Sequence, residues 1–315
     1  ATMSYSSNGN VLAFSRNQFK GNIFGGSVKK STEDEVVKLK IMMREKDGET
    51  GKWSAPFEAS FNDAEYSFTH PTFSPDGKTL YFVSDMPGGQ GGTDLWKATL
   101  TADLIFEKPV NLGVGVNTTA DEMYPFIAAD GALYFSSTGH AGLGGLDVFR
   151  AEQSPNGLFT SPYNLGSPLN SSRDDFAYFM NDNKEGFVSS NREGGLGGDD
   201  IYSAELTGLF GKINVVNAIT NKVVTDAKVC VMVNGVEQYK LSTDENGVAY
   251  IPFSVNQRYE LYECSDDYRS ENLLVNTFGK ETGTWVEETL KVYPKFRSFV
   301  SGYVLEEKSQ LPLTE

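Results

Sequence analysis

Pro87-Gly88-Gly89-Gln90-Gly91-Gly92-Thr93-Asp94-Leu95-Trp96 decides how this chain is read, because the stretch recurs. Ala141-Gly142-Leu143-Gly144-Gly145-Leu146-Asp147-Val148-Phe149 has the same grammar, and Gly194-Gly195-Leu196-Gly197-Gly198-Asp199-Asp200-Ile201-Tyr202 repeats it. Asp94, Asp147 and Asp200 are spaced 53 residues apart. A phosphate-cradling loop needs a strand before its glycines and a helix N-terminus after them. Here the Asp opens an alternating run such as Leu95-Trp96-Lys97-Ala98, which reads as another strand. The glycines are therefore read as a hairpin connection that needs positive φ at several positions. Gly91, Gly92, Asp94, Gly144, Gly145, Asp147, Gly197, Gly198 and Asp200 take a structural role, each Asp bonding nearby backbone N–H groups. One regular carboxylate per repeat is too few for calcium, and no metal or cofactor is expected.

Other landmarks keep the same period. Pro56, Pro109 and Pro162 are 53 apart, Asn111-Leu112-Gly113 recurs as Asn164-Leu165-Gly166, and Asn117-Thr118 as Asn170-Ser171. Ahead of each glycine cluster stands a turn and strand, such as Ser74-Pro75-Asp76-Gly77-Lys78-Thr79-Leu80-Tyr81-Phe82 or Asp130-Gly131-Ala132-Leu133-Tyr134-Phe135. Asp-Gly between apolar runs is a strong hairpin signal. The second unit then holds strands near Pro71–Ser74, Thr79–Ser84, Asp94–Leu100 and Lys108–Leu112. Four antiparallel strands at this period predict the blade of a β-propeller, since 53 residues are too few for a seven-stranded sandwich. The first unit carries a polar insertion around Phe19 to Glu35 and lacks a clean glycine cluster, and the fourth has lost its Asp-Gly.

The grammar changes near Thr207-Gly208. Gly211-Lys212-Ile213-Asn214-Val215-Val216, Val229-Cys230-Val231, the turn Asp244-Glu245-Asn246-Gly247 and Tyr259-Glu260-Leu261-Tyr262 read as short strands of a β-sandwich, with Trp285 and Thr289–Tyr293 supplying its last strands. The fold class is all-β: a propeller of four-stranded blades over 1–207, a sandwich over 208–297, and the start of a further sandwich-like module over 298–315. Three units have a fourth-strand segment, at Ala55–Ala59, Lys108–Leu112 and Pro162–Leu165, and the fourth does not. Sequence upstream of Ala1 is accordingly expected to supply at least one strand of the ring.

Composition narrows the partners. Acidic residues outnumber basic ones by 42 to 27, giving a net charge of −15, a surface that repels nucleic acid and anionic lipid. No apolar run has the length of a membrane span. Cys230 and Cys264 are too few for a disulfide framework and are expected as two small, buried or half-exposed thiols, one bridge across the sandwich being the alternative.

The repeat Phe73-Ser74-Pro75-Asp76-Gly77-Lys78-Thr79-Leu80-Tyr81-Phe82, then Gly-Gly-x-Gly-Gly-x-Asp-Leu, then Pro109-Val110-Asn111-Leu112-Gly113, resembles the TolB-type, WD-like propeller repeat. It most closely resembles the version in OmpA-family envelope proteins of the Bacteroidota, which include the peptidoglycan-anchoring component of the type IX secretion and gliding machinery. The run from Gly211 looks like the carboxypeptidase regulatory-like domain, a transthyretin-like accessory sandwich that is not itself a peptidase. The resemblance implies a periplasmic, outer-membrane-associated protein that binds envelope proteins, with peptidoglycan reached only through a downstream domain.

Neither a His-Glu-x-x-His motif nor a Gly-x-Ser-x-Gly elbow occurs, and the two histidines, His70 and His140, have no acidic residue at zinc-ligand spacing. The chain is expected not to be an enzyme but a non-catalytic interaction scaffold; the alternative is a propeller enzyme acting on glycans as hydrolase or lyase. A second acidic set precedes the blades' first strands: Glu65 and Tyr66, Asp121, Glu122 and Tyr124, and Asp174, Asp175 and Tyr178. These residues cap strands and solvate loops, or they form a negatively charged, tyrosine-bearing mouth that binds a basic segment of a partner protein. On the second reading, neutralising Asp121, Glu122, Asp174 and Asp175 weakens binding and changes stability by no more than about 0.5 kcal/mol.

Overall fold

The computed structural model describes residues 2–17, 38–101, 104–154, 157–181, 185–205 and 208–295. It divides into two compact units, Ala1–Thr207 and Gly208–Glu315. The polar insertion and the module expected over 298–315 lie outside the described residues. Among the described residues every regular element is a β-strand and there is no helix.

In the first unit the strands are β1 (Met3–Tyr5), β2 (Val11–Asn17), β3 (Leu39–Glu45), β4 (Phe57–Glu58), β5 (Phe68–Phe73), β6 (Thr79–Ser84), β7 (Asp94–Thr99), β8 (Val110–Asn111), β9 (Glu122–Ile127), β10 (Leu133–Ser137), β11 (Asp147–Ala151), β12 (Tyr163–Asn164), β13 (Asp175–Met180), β14 (Glu185–Ser190) and β15 (Asp200–Glu205). They form four antiparallel meanders, β1 to β4, β5 to β8, β9 to β12 and β13 to β15. The fourth strands are shorter than the sequence predicts, two residues each, and among the described residues the last sheet has three strands.

Both faces of the middle sheets are covered, which is why β6 reads as an unbroken apolar run. Leu80 and Phe82 join Val11, Ala13, Ile41 and Met43 of the first sheet, whereas Tyr81 and Val83 join Leu133, Phe135 and Phe149 of the third. The third and fourth sheets meet in the same way through Tyr134, Val148, Tyr178 and Val188. Each buried Leu or Phe contributes about 1.5–3 kcal/mol.

The glycine loops follow a different logic from the one expected. Of the cluster glycines, Gly88 (φ 96°) and Gly194 (φ 93°) have positive φ. Gly89, Gly91, Gly92, Gly142, Gly144, Gly145 and Gly195 are required by close approach. A Cβ on Gly89 or Gly142 would lie 1.8 or 1.7 Å from Oδ2 of Asp94 or Asp147. One on Gly91 would meet the Thr119 carbonyl carbon at 2.3 Å, and one on Gly144 the Arg173 carbonyl oxygen at 1.9 Å. Those last contacts are to the linker of the following sheet. There Thr93 N–H donates to Asp121 Oδ1 and Leu146 N–H to Asp174 Oδ1, each at 2.8 Å. Asp147 accepts from the amides of Leu143 and Gly144, and Asp200 from those of Leu196 and Gly197. Asp94 accepts from Gln90 N–H and Asn111 Nδ2. The recurring Asn is a clasp: Asn117 accepts from Leu95 N–H at 2.8 Å and donates to Leu95 O at 3.0 Å, and Asn170 does the same for Val148.

The second unit contains β16 (Gly208–Asn217), β17 (Lys228–Val233), β18 (Val236–Ser242), β19 (Val248–Ser254), β20 (Arg258–Glu263), β21 (Tyr268–Ser270), β22 (Leu273–Asn276) and β23 (Trp285–Pro294). They make two four-stranded sheets, β19-β16-β23-β21 and β18-β17-β20-β22, with β16 and β23 parallel. Ile213, Ile251 and Leu290 of one sheet and Val229, Leu261 and Val275 of the other share one core. The cysteines correct the expectation of free thiols. Cys230 in β17 and Cys264 just after β20 are disulfide-bonded with Cα atoms 5.9 Å apart, a pairing that the β17–β20 register brings about.

Candidate functional site

The first strand of each sheet in the first unit faces a common cleft of about 660 Å³, lined by residues of β1, β5, β9 and β13 and their flanks. Three of these strands carry the same irregularity. His70-Pro71 stand opposite Phe82 alone, Tyr124-Pro125 opposite Phe135, and Ala177-Tyr178 opposite Val188, so each strand bulges by one residue. The bulge residues His70, Tyr124 and Ala177 have φ of 49°, 53° and 54°. None is glycine, and a non-glycine residue in this region costs about 1–3 kcal/mol, a strain that gathers at binding sites. Proline has no N–H to give to a ladder, which places it at edges and bulges. The pairs His70-Pro71 and Tyr124-Pro125 are therefore a sequence signal for these bulges.

The bulges aim an aromatic row along the cleft. The His70 ring stacks on Tyr124 with centroids 4.0 Å apart, and Tyr124 lies 5.1 Å from Phe176. Burial lowers His70 from 6.5 to about 4, so its imidazole is neutral at pH 7, and its Nδ1 has no hydrogen-bond partner among the described residues. Burial, and then the nearby Asp199 charge, push the Tyr124 phenol up; burial pushes Tyr178 up to about 12. Among the described residues the lining includes Tyr5, Phe73, Phe126 and Phe179 and contains no Asp, Glu, Lys or Arg.

That finding relocates the acidic set. Glu122 is fully buried and accepts from Thr118 N–H, Thr118 Oγ1 and Ser137 Oγ. Asp175 is fully buried, accepts from Ser171 N–H and Oγ, and pairs with Arg192 at 2.5 Å. Asp121 and Asp174 are the half-buried seals of the glycine loops. These four carboxylates hold linkers in place and do not line the cleft, because bonding to loop amides turns them away from it. Glu65 is exposed and its own amide bonds to Asp63 Oδ1, and Tyr66 packs on the core between the first two sheets. Of the expected set, only Tyr124 and Tyr178 line the cleft. His140 lies elsewhere, its Nε2 bonded to Val116 O at 2.7 Å and its ring between Phe135 and Phe149. The two carboxylates that glycoside hydrolysis requires are not found among the lining residues. Among the described residues no three His, Cys, Asp or Glu side chains are grouped to hold a metal, and no helix is long and apolar enough to cross a membrane.

No protein-family model matches the chain, and no curated protein matches it. Solved structures do. The chain is similar to TolB from Acinetobacter baumannii, at 16% identity and a TM-score of 0.39, over 93% of this chain and 55% of that one. It is also similar to puromycin hydrolase, at 15% identity and a TM-score of 0.40, over 81% of this chain and 34% of that one. A third is prolyl oligopeptidase B from Galerina marginata bound to a 35mer hydrolysis and macrocyclization substrate, at 12% identity and a TM-score of 0.39, over 87% and 32%. The chain spans about half the length of TolB and about a third of the other two. The expectation that the chain is not an enzyme is corrected here. Peptidases are among the structures similar to it, so the fold is compatible with an enzyme as well as a non-enzyme. TM-scores below 0.5 transfer no activity to this chain.

Proposed function

We propose that the four sheets are blades of a TolB- or WD-like β-propeller, that the second unit is a transthyretin-like spacer, and that the chain is a protein-binding platform of the bacterial periplasm associated with the outer membrane. The observation that carries this reading is the cleft, whose described lining holds no charged side chain and is walled by aromatic rings and prolines on strained inner strands. Such walls suit an extended, uncharged peptide segment, whose proline and apolar side chains stack on rings and whose backbone bonds the strand edges. This replaces the basic ligand expected from the acidic linkers. The Cys230–Cys264 bond supports an oxidising compartment. The protein-binding reading, and the envelope kind that the repeats resemble, is tested by titrating the full chain with labelled extended peptides, proline- and aromatic-rich against lysine-rich. Saturable binding of the neutral set, weakened about tenfold or more by Tyr124→Ala, is expected. Preference for the lysine-rich set, or indifference to Tyr124→Ala, would sink the assignment of this cleft.

A further inference from the structure

A peptide in the cleft is held either as an added strand, which gives and takes bonds in turn, or through its carbonyls alone. The inner strands decide between the two. An added strand needs an edge of regularly alternating N–H and C=O groups. β5 and β9 do not offer one. Pro71 and Pro125 have no N–H, and the bulges at His70-Pro71 and Tyr124-Pro125 break the register at those same residues. β13 is broken likewise at Ala177-Tyr178, and β1 keeps its register but is three residues long. Amides nearby are already taken: His70 N–H donates to Ser15 Oγ at 3.1 Å and Phe73 N–H to Ser4 Oγ at 3.0 Å, both hydroxyls of the first sheet.

What these strands do carry is side-chain donors. His70 Nδ1 is enclosed without a partner among the described residues. An enclosed bare lone pair costs less than an enclosed bare N–H, so the neutral ring holds its proton on Nε2. Tyr124, stacked on that ring, and Tyr5 add phenol O–H groups, and Phe126 packed on Phe179 adds a second pair of rings. Among the described lining residues no carboxylate competes for these donors. Donors beside flat rings, without a ladder edge, suit a polyproline II helix. Its carbonyls have no internal partner, its pyrrolidine rings dock on aromatic walls, and it needs no N–H of its own.

On the footing that the cleft takes an uncharged peptide, we infer that this ligand is a proline-rich segment of another protein, bound as a left-handed polyproline II helix whose carbonyls accept from His70 and Tyr124 and whose own N–H groups are unused. The backbone is then held by side chains of the inner strands, and the rings select proline over other uncharged residues.

Fluorescence anisotropy of the full chain with three labelled, uncharged peptides of equal length tests it. One is rich in Pro-Pro-x-Pro, one is a β-prone Val and Thr sequence with the same aromatic content, and one copies the first with every non-proline residue N-methylated. The proline-rich peptide is expected to bind at least about tenfold tighter than the β-prone one. Its N-methylated copy is expected to stay within about threefold of it, since methylation removes only N–H groups that the complex leaves unused. Tyr124→Phe keeps the ring and removes the O–H, and is expected to weaken the proline-rich peptide about threefold to tenfold. A β-prone peptide that binds as tightly, an N-methylated copy that loses tenfold, or indifference to Tyr124→Phe would overturn the inference while leaving the cleft a peptide site. Failure of all three peptides to bind would remove that reading as well, and the inference with it.

Discussion

Gly144 and Gly197 hold the same place in successive repeats, yet substitution to alanine is expected to do opposite things. At Gly144 the new methyl would lie 1.9 Å from the Arg173 carbonyl oxygen, 2.8 Å from its carbon and 2.9 Å from its nitrogen, far inside the 3.4–4 Å of ordinary contact. Those atoms are backbone and cannot rotate aside. The linker has to retreat, stretching the bond from Leu146 N–H to Asp174 Oδ1, now 2.8 Å, and that from Asp175 N–H to Leu146 O, now 2.6 Å. Overpacking of this kind costs about 1–3 kcal/mol, and weakening a bond to a carboxylate adds about 1 kcal/mol or more. A total near 3 kcal/mol corresponds to a fall in Tm of about 9 °C for a unit of this size. At Gly197 the nearest atoms are 3.6 Å away and φ lies outside the left-handed region. Alanine there restricts the unfolded chain and is expected to be neutral or to stabilise by up to about 1 kcal/mol. Urea unfolding of the two variants, followed by tyrosine and tryptophan fluorescence with slopes compared, measures both. Equal losses at the two sites would show that the loops need glycine for conformation and not for approach, and would refute the reasoning.

The buried neutral His70 makes stability fall in acid. Its folded value of about 4 lies below the ordinary 6.5, so its contribution is complete above pH 6.5 and is lost as pH falls toward 4. The loss approaches about 3 kcal/mol, and the urea midpoint of His70→Gln is expected to lack that share of the slope between pH 7 and 4. Asp175→Asn leaves Arg192 and the Ser171 amide without their carboxylate and is expected to cost about 3 kcal/mol in thermal or urea unfolding, not the small change a solvated loop allows. Removing the disulfide by Cys230→Ala with Cys264→Ala frees a loop of sequence separation 34 and is expected to cost the second unit about 4 kcal/mol. Reducing agent should shift the wild type by a similar amount and the variant not at all.

The period, the strands and the change of grammar near Thr207 were legible because hydrophobic alternation and Asp-Gly turns are local signals. What escaped was whatever depends on the neighbouring sheet. Nothing in Gly-Gly-x-Gly-Gly tells positive φ from close approach; that distinction rests on Arg173 and Thr119, far along the chain. Glu122 and Asp175 read as surface because acidic residues in linkers usually are; the amides and hydroxyls of Thr118 and Ser171, the Ser137 hydroxyl and the Arg192 guanidinium make their burial tolerable. Tyr124 and Tyr178 line the cleft because of the bulges in their strands, a feature the neighbouring acidic residues do not signal. The disulfide was undecidable from two cysteines, since pairing needed the register of β17 on β20.

The first two glycine loops are each sealed by a residue 28 positions later, Thr93 by Asp121 and Leu146 by Asp174. That interval sets a clock for the nascent chain. A sheet emerging from the ribosome leaves its loop open only until the next linker follows, and closing so short a span costs little chain entropy. Assembly can then advance from one sheet to the next in the order of synthesis, each step completed by the first residues of its successor.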